Sequence, residues 1–190
     1  MTVPPLRVLP DVLCFGLRVV FCGMAAGTKS AQVGAYYAGR ANSFWSTLYA
    51  VSLTPRLLAA AEFKTSPDFG IGLTDIAKFR MGVDKTLCNG DFDVAGLRAK
   101  IEHYALVAIA FNGKMAASVF YDCDTEELDY GEQGQKVGNA AVWILPSTSS
   151  TARKYWDVHK WMALAGALRH ATPPVDSGGL SGCSPAPPLR

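Results

Sequence analysis

The chain has 190 residues, with 18 Lys and Arg against 16 Asp and Glu, so its formal net charge is +2. This length suits one well-buried domain rather than two. The small charge excludes a heavily basic coat for nucleic acid, and 49% hydrophobic residues exclude disorder and collagen-like repeats. Any partner must therefore be recognised by local chemistry rather than by bulk charge.

Signals for targeting and for metal binding are weak in this sequence. Residues 1–10 contain three prolines but no apolar core like that of a secretory signal, and no apolar run reaches the roughly 18 residues of a membrane span. The five cysteines are odd in number, far apart and include no C-x-x-C pair. We therefore expect a cytoplasmic protein with reduced thiols, no membrane partner, no metal and no cofactor.

Short apolar runs that end in glycine or polar turns predict buried strands. In chain order these runs are 17–22, 70–79, 105–111 and 140–146. Apolar residues at spacings of three and four predict the helices between them. These are 44–53, with Asn42 or Ser43 as N-cap, then 56–64, 94–104, 114–121 and a last helix with the stripe Trp161, Leu164, Ala165 and Leu168. The stretch 122–138 is predicted as an exposed loop or hairpin.

Strands that alternate with helices predict an α/β fold, with a central, mostly parallel sheet between two helical layers. We expect this domain to span residues 9–170. Residues 171–190 contain eight prolines and glycines and predict a flexible tail. Parallel sheets bind ligands at loops beyond the carboxyl ends of their strands. The candidate loops are 23–40, the neighbourhood of Asp75, and 147–153.

The segment GMAAGTKS at 23–30 is close to a phosphate-binding P-loop, G-x-x-x-x-G-K-[ST]. Thr28 stands where the second glycine belongs, and its Cβ disfavours the backbone that wraps a phosphate. A P-loop nucleotide enzyme that depends on Lys29 is therefore one alternative, although a poor fit.

Five segments occur in a particular order along the chain: LPDVLCFGLRVVFCGMAAG, YYAGRANSFW, GLTDIAK, FNGK and VWILPSTSSTAR. Together they resemble the uracil-DNA glycosylase superfamily, from about residue 9 to residue 168. The likeness is closest to the mismatch-specific uracil/thymine-DNA glycosylase branch. The pair Tyr36-Tyr37 and the LPSTS segment also resemble the hypoxanthine-DNA glycosylase branch.

This resemblance implies a uracil-DNA glycosylase-like fold and base flipping from double-stranded DNA, followed by hydrolysis of the glycosidic bond of uracil. Such an enzyme starts base excision repair and leaves an abasic site as product. Tyr37 matches the aromatic residue that stacks on the base. The backbone N–H groups of Met24, Ala25 and Gly27 are placed to stabilise charge on the leaving base.

The last loop matches the family's second motif, which closes on the substrate strand. The resemblance places Ser147 and Ser149 at the substrate, and Ser150, Thr151 and Arg153 at the DNA backbone. Thr151 stands where the mismatch-specific branch has a bulky Leu wedge. We therefore expect weaker insertion into the base stack, or a wedge from a neighbouring residue.

Ala25 is a departure from the mismatch-specific branch, whose first motif has an Asn that positions the attacking water. Two residues are candidate catalytic replacements, Asn42 and Asp75, because either could orient water. Asn42 has an alternative role as a helix N-cap, and Asp75 as a helix-start or surface carboxylate.

The sequence predicts a monofunctional enzyme, because no lysine of the expected pocket matches a Schiff-base lyase pattern. Its expected partners are uracil-containing double-stranded DNA and the abasic product, which it binds as a monomer. Excision of hypoxanthine or of mismatched bases remains an alternative. Another alternative is a noncatalytic protein that binds abasic or damaged DNA. It would need no residue that positions water, which would explain Ala25 in the first motif.

Overall fold

A five-stranded sheet runs through the described part of the protein. The structure is a computed structural model that describes residues 8–81 and 87–170. The strands lie in the spatial order β2-β1-β3-β5-β4, and only β4 is antiparallel to its neighbour. Their bounds are β1 (Val19–Ala26), β2 (Ile71–Met81), β3 (Ala108–Asn112), β4 (Gly131–Val137) and β5 (Ala140–Leu145).

Helices cover both faces of this sheet. The α-helices are α1 (Thr28–Val33), α2 (Phe44–Ala50), α3 (Val94–His103), α4 (Lys114–Tyr121) and α5 (Val158–His170). The 3₁₀ helices are Ala60–Phe69, Asn89–Asp91, Thr125–Glu127 and Ser150–Tyr155. Within residues 8–81 and 87–170, no helix has the length and apolar character that crossing a membrane requires.

Two hydrophobic cores lie on opposite faces of the sheet, because side chains alternate along a strand. Val19 and Phe21 of β1 pack into the core beneath α2 and α5. Val20 and Cys22 of the same strand pack into the core beneath α3 and α4. A strand buried on both faces reads as a continuous apolar run, which is the pattern of VVFC. The predicted three-layer α/β/α architecture is therefore confirmed.

Most of the predicted elements are present. The predicted helices at 94–104 and 114–121 agree with α3 and α4, and the stripe predicted on α5 is buried. The segment 122–138 contains the strand that forms a hairpin with β5. The helix predicted at 56–64 is instead the 3₁₀ helix Ala60–Phe69, which has Pro67 within it. The predicted tail, 171–190, lies outside the described residues.

Two corrections to the sequence predictions concern the site, one at the end of β1 and one at Asp75. The loop was predicted to begin at Gly23, which is wrong, because β1 continues to Ala26 and the chain leaves the strand only at Gly27. Asp75 is not at a strand end or a helix start, because β2 continues to Met81. The cause is the same in both places. Gly23 and Asp75 are register partners, so the glycine serves close packing between strands rather than a turn.

Candidate active site

A cavity of about 780 Å³ lies at the carboxyl ends of β1, β3 and β5. This is the edge of the sheet at which a parallel α/β fold is expected to bind its ligand. Nine residues that the sequence analysis assigned to the site line it: Met24, Ala25, Gly27, Tyr37, Asn42, Asp75, Ser147, Ser149 and Thr151. Ser150 and Arg153 are not among the lining residues and lie beside the cavity on the 3₁₀ helix Ser150–Tyr155.

The first motif contributes extended backbone to this cavity. Met24 and Ala25 lie on β1, and Gly27 is the N-cap of α1 with an extended conformation. The chain therefore runs straight through 23–26 instead of wrapping a phosphate, which the P-loop alternative requires. Ala25 presents only a methyl group, so it holds no water.

The Asp75 carboxyl group is seated over a glycine of the neighbouring strand. Gly23 and Asp75 are partners in the parallel register of β1 and β2. A Cβ atom on Gly23 would collide with the Asp75 carboxylate and would lie 3.4 Å from the Tyr37 hydroxyl oxygen. The absence of a side chain at Gly23 thus creates the space that the carboxyl group occupies.

Burial gives the Asp75 carboxyl group unusual acid–base properties. The side chain lines the cavity, yet the residue is only 5% exposed. Loss of solvation raises its pKa to about 6, with Lys78 lowering it and Asp11 raising it further. A carboxyl group with a pKa near neutrality exchanges protons readily under working conditions, as general acid–base catalysis requires.

A buried ionic cluster lies next to Asp75. Asp11 forms salt bridges of 2.7 Å with Lys78 and 3.1 Å with Lys100, and accepts a 2.6 Å hydrogen bond from the Thr74 hydroxyl. Burial raises the pKa of Asp11, but the two lysines and these hydrogen bonds lower it more, to about 2. Two ammonium groups therefore surround Asp11, and one of them, Lys78, also acts on Asp75 and favours its ionised form.

Tyr37 lines the cavity in a strained backbone conformation. Its φ of +54° lies in the left-handed region, which a bulky residue rarely adopts and which is typical of functional sites. Its ring stacks on Phe44 at 3.8 Å between centroids and 24° between planes. Because Phe44 covers one face of this ring, a planar ligand could stack only on the opposite face. Burial raises the pKa of Tyr37 well above its ordinary value, and Asp75 raises it further.

Asn42 lines the cavity and also holds the start of α2. Its side-chain oxygen accepts a 3.0 Å hydrogen bond from the backbone N–H of Phe44. The N-cap of α2 is Ser43, so the N-cap role left open for Asn42 is wrong, although its side chain binds the first N–H group of the helix. This contact engages the oxygen of Asn42, the atom that would accept a hydrogen bond from water. An amide cannot take a proton from water, so Asp75 is better placed for that task.

The last loop is tied to the end of β3 by Asn112. The Asn112 amide donates a 2.9 Å hydrogen bond to the Thr148 hydroxyl and its oxygen accepts one of 3.0 Å from the Thr148 backbone N–H. Next to it, Gly113 has a φ of +120°, and a Cβ there would lie 3.2 Å from Ser147. Asn112 belongs to the segment FNGK, but no role in the site was predicted for it. The feature that could have identified Asn112 is its polar side chain at the end of a strand, where parallel sheets bind ligands.

Other lining residues were not predicted for this site, and among them only Lys29 had been singled out, as part of the P-loop alternative. Besides Asn112 these include Lys29, Lys114, Met115, Tyr130 and Tyr155. Two of them are lysines, which the sequence analysis did not place in the pocket. Within residues 8–81 and 87–170, no group of three or more His, Cys, Asp or Glu side chains is arranged to hold a metal ion.

A second cavity, of about 690 Å³, lies against α3 and α4. Asp122, Asp124 and Glu127 line it, and these acidic side chains would repel a phosphate backbone. The cavity around Asp75 instead has Lys29 and Lys114 at its edge. Although Glu126 also lines it, the cavity at the carboxyl ends of the strands is thus the more favourable of the two for an anionic ligand.

The model of the Uracil DNA glycosylase superfamily matches residues 10–165. The chain belongs to this superfamily. The fold is similar to the solution NMR structure of a candidate uracil DNA glycosylase from Methanosarcina acetivorans, with a TM-score of 0.60 and 23% identity. The match covers 85% of this chain and 97% of the archaeal one. Membership of this superfamily supports DNA glycosylase activity and confirms the resemblance seen in the sequence.

Proposed function

We propose that this member of the superfamily is a monofunctional uracil-DNA glycosylase that acts on double-stranded DNA. The observation that carries the proposal is the position of Asp75, a buried carboxyl group that faces the cavity beside Tyr37. Its pKa of about 6 leaves it mostly ionised at neutral pH and able to accept a proton. Family membership supplies the class of reaction, and this carboxylate supplies the missing polar group of the first motif.

In the proposed reaction, uracil leaves the base stack and stacks on the free face of Tyr37. The bond between C1′ of the sugar and N1 of uracil breaks. Backbone N–H groups at Met24 to Gly27 stabilise the negative charge that develops on the base. The oxygen of a water molecule bonds to C1′, and Asp75 takes the proton that this water loses. The carboxylate also stabilises positive charge on the sugar before water attacks.

The experiment is single-turnover excision from a duplex oligonucleotide with one central uracil, followed by alkaline cleavage at the abasic site. Hypoxanthine, a thymine mismatch and single-stranded uracil serve as the other substrates. Asp75→Ala is expected to lower the rate by orders of magnitude, whereas Asp68→Ala, an exposed carboxylate on the 3₁₀ helix, is expected to keep it. Excision of another base but not uracil would refute the proposed substrate.

Borohydride trapping tests the monofunctional part of the proposal. Lys29 and Lys114 line the cavity, so an amine is available at its edge. Hydrolysis by water leaves no covalent intermediate, and we expect no trapped protein–DNA adduct and no strand break before alkali. An adduct that Lys29→Gln or Lys114→Gln abolishes would contradict hydrolysis and indicate a lyase.

A noncatalytic protein that binds abasic DNA is the second candidate function. Ala25 favours it, since the first motif lacks a side chain that could hold water. Under this alternative the wild-type protein would bind duplex DNA with an abasic site and would excise no base. Binding by itself is compatible with both candidates, because a glycosylase also binds its product. Excision is therefore the measurement that separates them.

A further inference from the structure

Two large apolar side chains stand exposed at the mouth of the cavity. Met115, on the first turn of α4, is 46% exposed, and Tyr155, at the end of the 3₁₀ helix Ser150–Tyr155, is 54% exposed. Among the exposed large hydrophobic residues of the described chain, these two line the cavity around Asp75. Exposed apolar groups beside a binding cavity are typical of a surface that a partner covers.

Lysines stack on the aromatic rings of this rim. The Lys154 ammonium lies 4.6 Å from the ring centre of Tyr155, and the Lys114 ammonium lies 4.8 Å from that of Tyr130. Both tyrosines line the cavity. Aromatic rings interleaved with positive charge are the combination that holds bases and phosphates of nucleic acid. A purely apolar partner would not need these cations, so the rim fits DNA.

A duplex that delivers a base into the cavity is left with a gap in its base stack. Proteins that unstack DNA often fill such a gap with a bulky apolar or aromatic side chain. Thr151, at the position of the family's wedge, is too short for this, and its hydroxyl is engaged with the Ser149 hydroxyl at 2.9 Å. Tyr155 is on the same 3₁₀ helix and offers a large exposed ring.

We propose that Tyr155 is the residue that fills the gap in the base stack, while Lys154 and Lys114 bind flanking phosphates. This inference rests on the proposed function, since it assumes that the cavity receives a flipped base. Glu126 also lines the cavity, and its carboxylate would repel the DNA backbone. The proposal therefore places the phosphates at the ammonium groups of Lys114 and Lys154 rather than at Glu126.

The test compares Tyr155→Ala with Tyr49→Ala on duplex and single-stranded uracil substrates. Tyr49 is the matched control, because it is 51% exposed on α2 and does not line the cavity. A side chain that fills the gap is needed only in duplex DNA, because only there must the base stack be opened. Tyr155→Ala is therefore expected to slow duplex excision about tenfold and to leave single-stranded excision within about twofold, with Tyr155→Trp restoring duplex activity. Tyr49→Ala is expected to match the wild type on both.

Binding to a duplex with a stable abasic-site analogue separates this inference from the proposed function. If the wild type excises no base, the proposed function fails, but the role of Tyr155 is still measured by this affinity. Tyr155→Ala is expected to weaken binding to the abasic duplex about tenfold and to leave single-stranded binding unchanged. Equal losses on both forms of DNA, or no loss on the duplex, would overturn the assignment of Tyr155. Far-UV circular dichroism and thermal melting verify that each variant is folded.

Discussion

Gly23 and Asp75 are partners across two parallel strands, and the carboxyl group of one fills the space that a side chain on the other would need. The strands at this point are so close that the acid is held over the backbone of the first motif. A carboxyl group in this position is shielded from water but open to the cavity. The absence of a side chain at Gly23, in the first motif, thus leaves room for the Asp75 carboxyl group on the neighbouring strand β2.

Gly23→Ala is expected to reduce uracil excision strongly while the protein stays folded. The added methyl group collides with the Asp75 carboxylate, which must turn away from its position over β1. We expect a fall of at least tenfold in the single-turnover rate, because small misplacements of catalytic groups are costly. Gly134→Ala on β4, where a Cβ meets no atom within 4 Å, is the matched control and is expected to retain activity. Equal rates for the two variants would contradict the packing argument.

Asp75→Asn is expected to stabilise the protein at neutral pH while it abolishes activity. The folded-state pKa of Asp75 lies above its unfolded value, 3.8 against about 6, so its ionisation opposes folding. This cost is absent below about pH 4, grows up to about pH 6 and is constant above. At 1.36 kcal/mol per pKa unit, the gain in unfolding free energy at neutral pH is about 3 kcal/mol.

Urea unfolding of wild type and Asp75→Asn at several pH values measures this gain. The two proteins are expected to differ most at neutral pH and to converge in acid. A variant that is less stable than the wild type at neutral pH would show that the ionised carboxylate is well solvated or paired in the fold. That result would remove the basis for its raised pKa.

Asp11→Asn is expected to destabilise the fold by about 3 to 5 kcal/mol, because Lys78 and Lys100 would lose a buried counterion. The lowered pKa of Asp11 also has a pH signature. Its stabilising effect is present above about pH 4 and is lost as the pH falls towards 2. Denaturant midpoints of the variant and the wild type should therefore approach each other in strong acid. Arg56→Gln removes an exposed ion pair with Glu62 and is expected to change stability little.

Tyr37→Ala is expected to weaken capture of the flipped base by about 1 to 3 kcal/mol, whereas Tyr37→Phe keeps the ring and most of the binding. The measurement is the concentration dependence of single-turnover excision. Ala keeps the Cβ atom and hence the strain of the positive φ at this position, so Tyr37→Gly, which relieves it, serves as a second variant, and circular dichroism verifies that each is folded. Unchanged substrate affinity in Tyr37→Ala would remove this ring from the base-binding site.

The sequence predicted the layers of the fold and most of the lining residues, because both depend on local patterns. A continuous apolar run identified β1, and the resemblance carried by the motifs assigned both Tyr37 and Asp75 to the site, where they line one cavity. The predicted strand 70–79 contained Asp75, but the packing of its carboxyl group over Gly23 was not predicted, since Gly23 was interpreted as a turn. The charge environment of Asp75 could not be predicted either. It depends on Asp11, which reaches Thr74 and Lys78 across 63 or more residues of sequence.

The rim of the cavity shows a second limit of sequence interpretation. Tyr155 gave no signal because exposed aromatic residues at loop ends are common and have no periodicity. Its position became informative once the 3₁₀ helix Ser150–Tyr155 was seen to place it at the cavity mouth. Asn112 was overlooked for a similar reason, since an Asn-Gly pair after a strand is typical of an ordinary turn.

The most direct test of the account is the pH dependence of single-turnover uracil excision by the wild type and Asp75→Asn. If Asp75 accepts the proton of the attacking water, the wild-type rate rises about tenfold per pH unit below about pH 6 and is constant above it. Asp75→Asn should be slower by orders of magnitude at neutral pH and should lack this inflection. Comparable rates for the two proteins, or the same inflection in both, would contradict the role of Asp75.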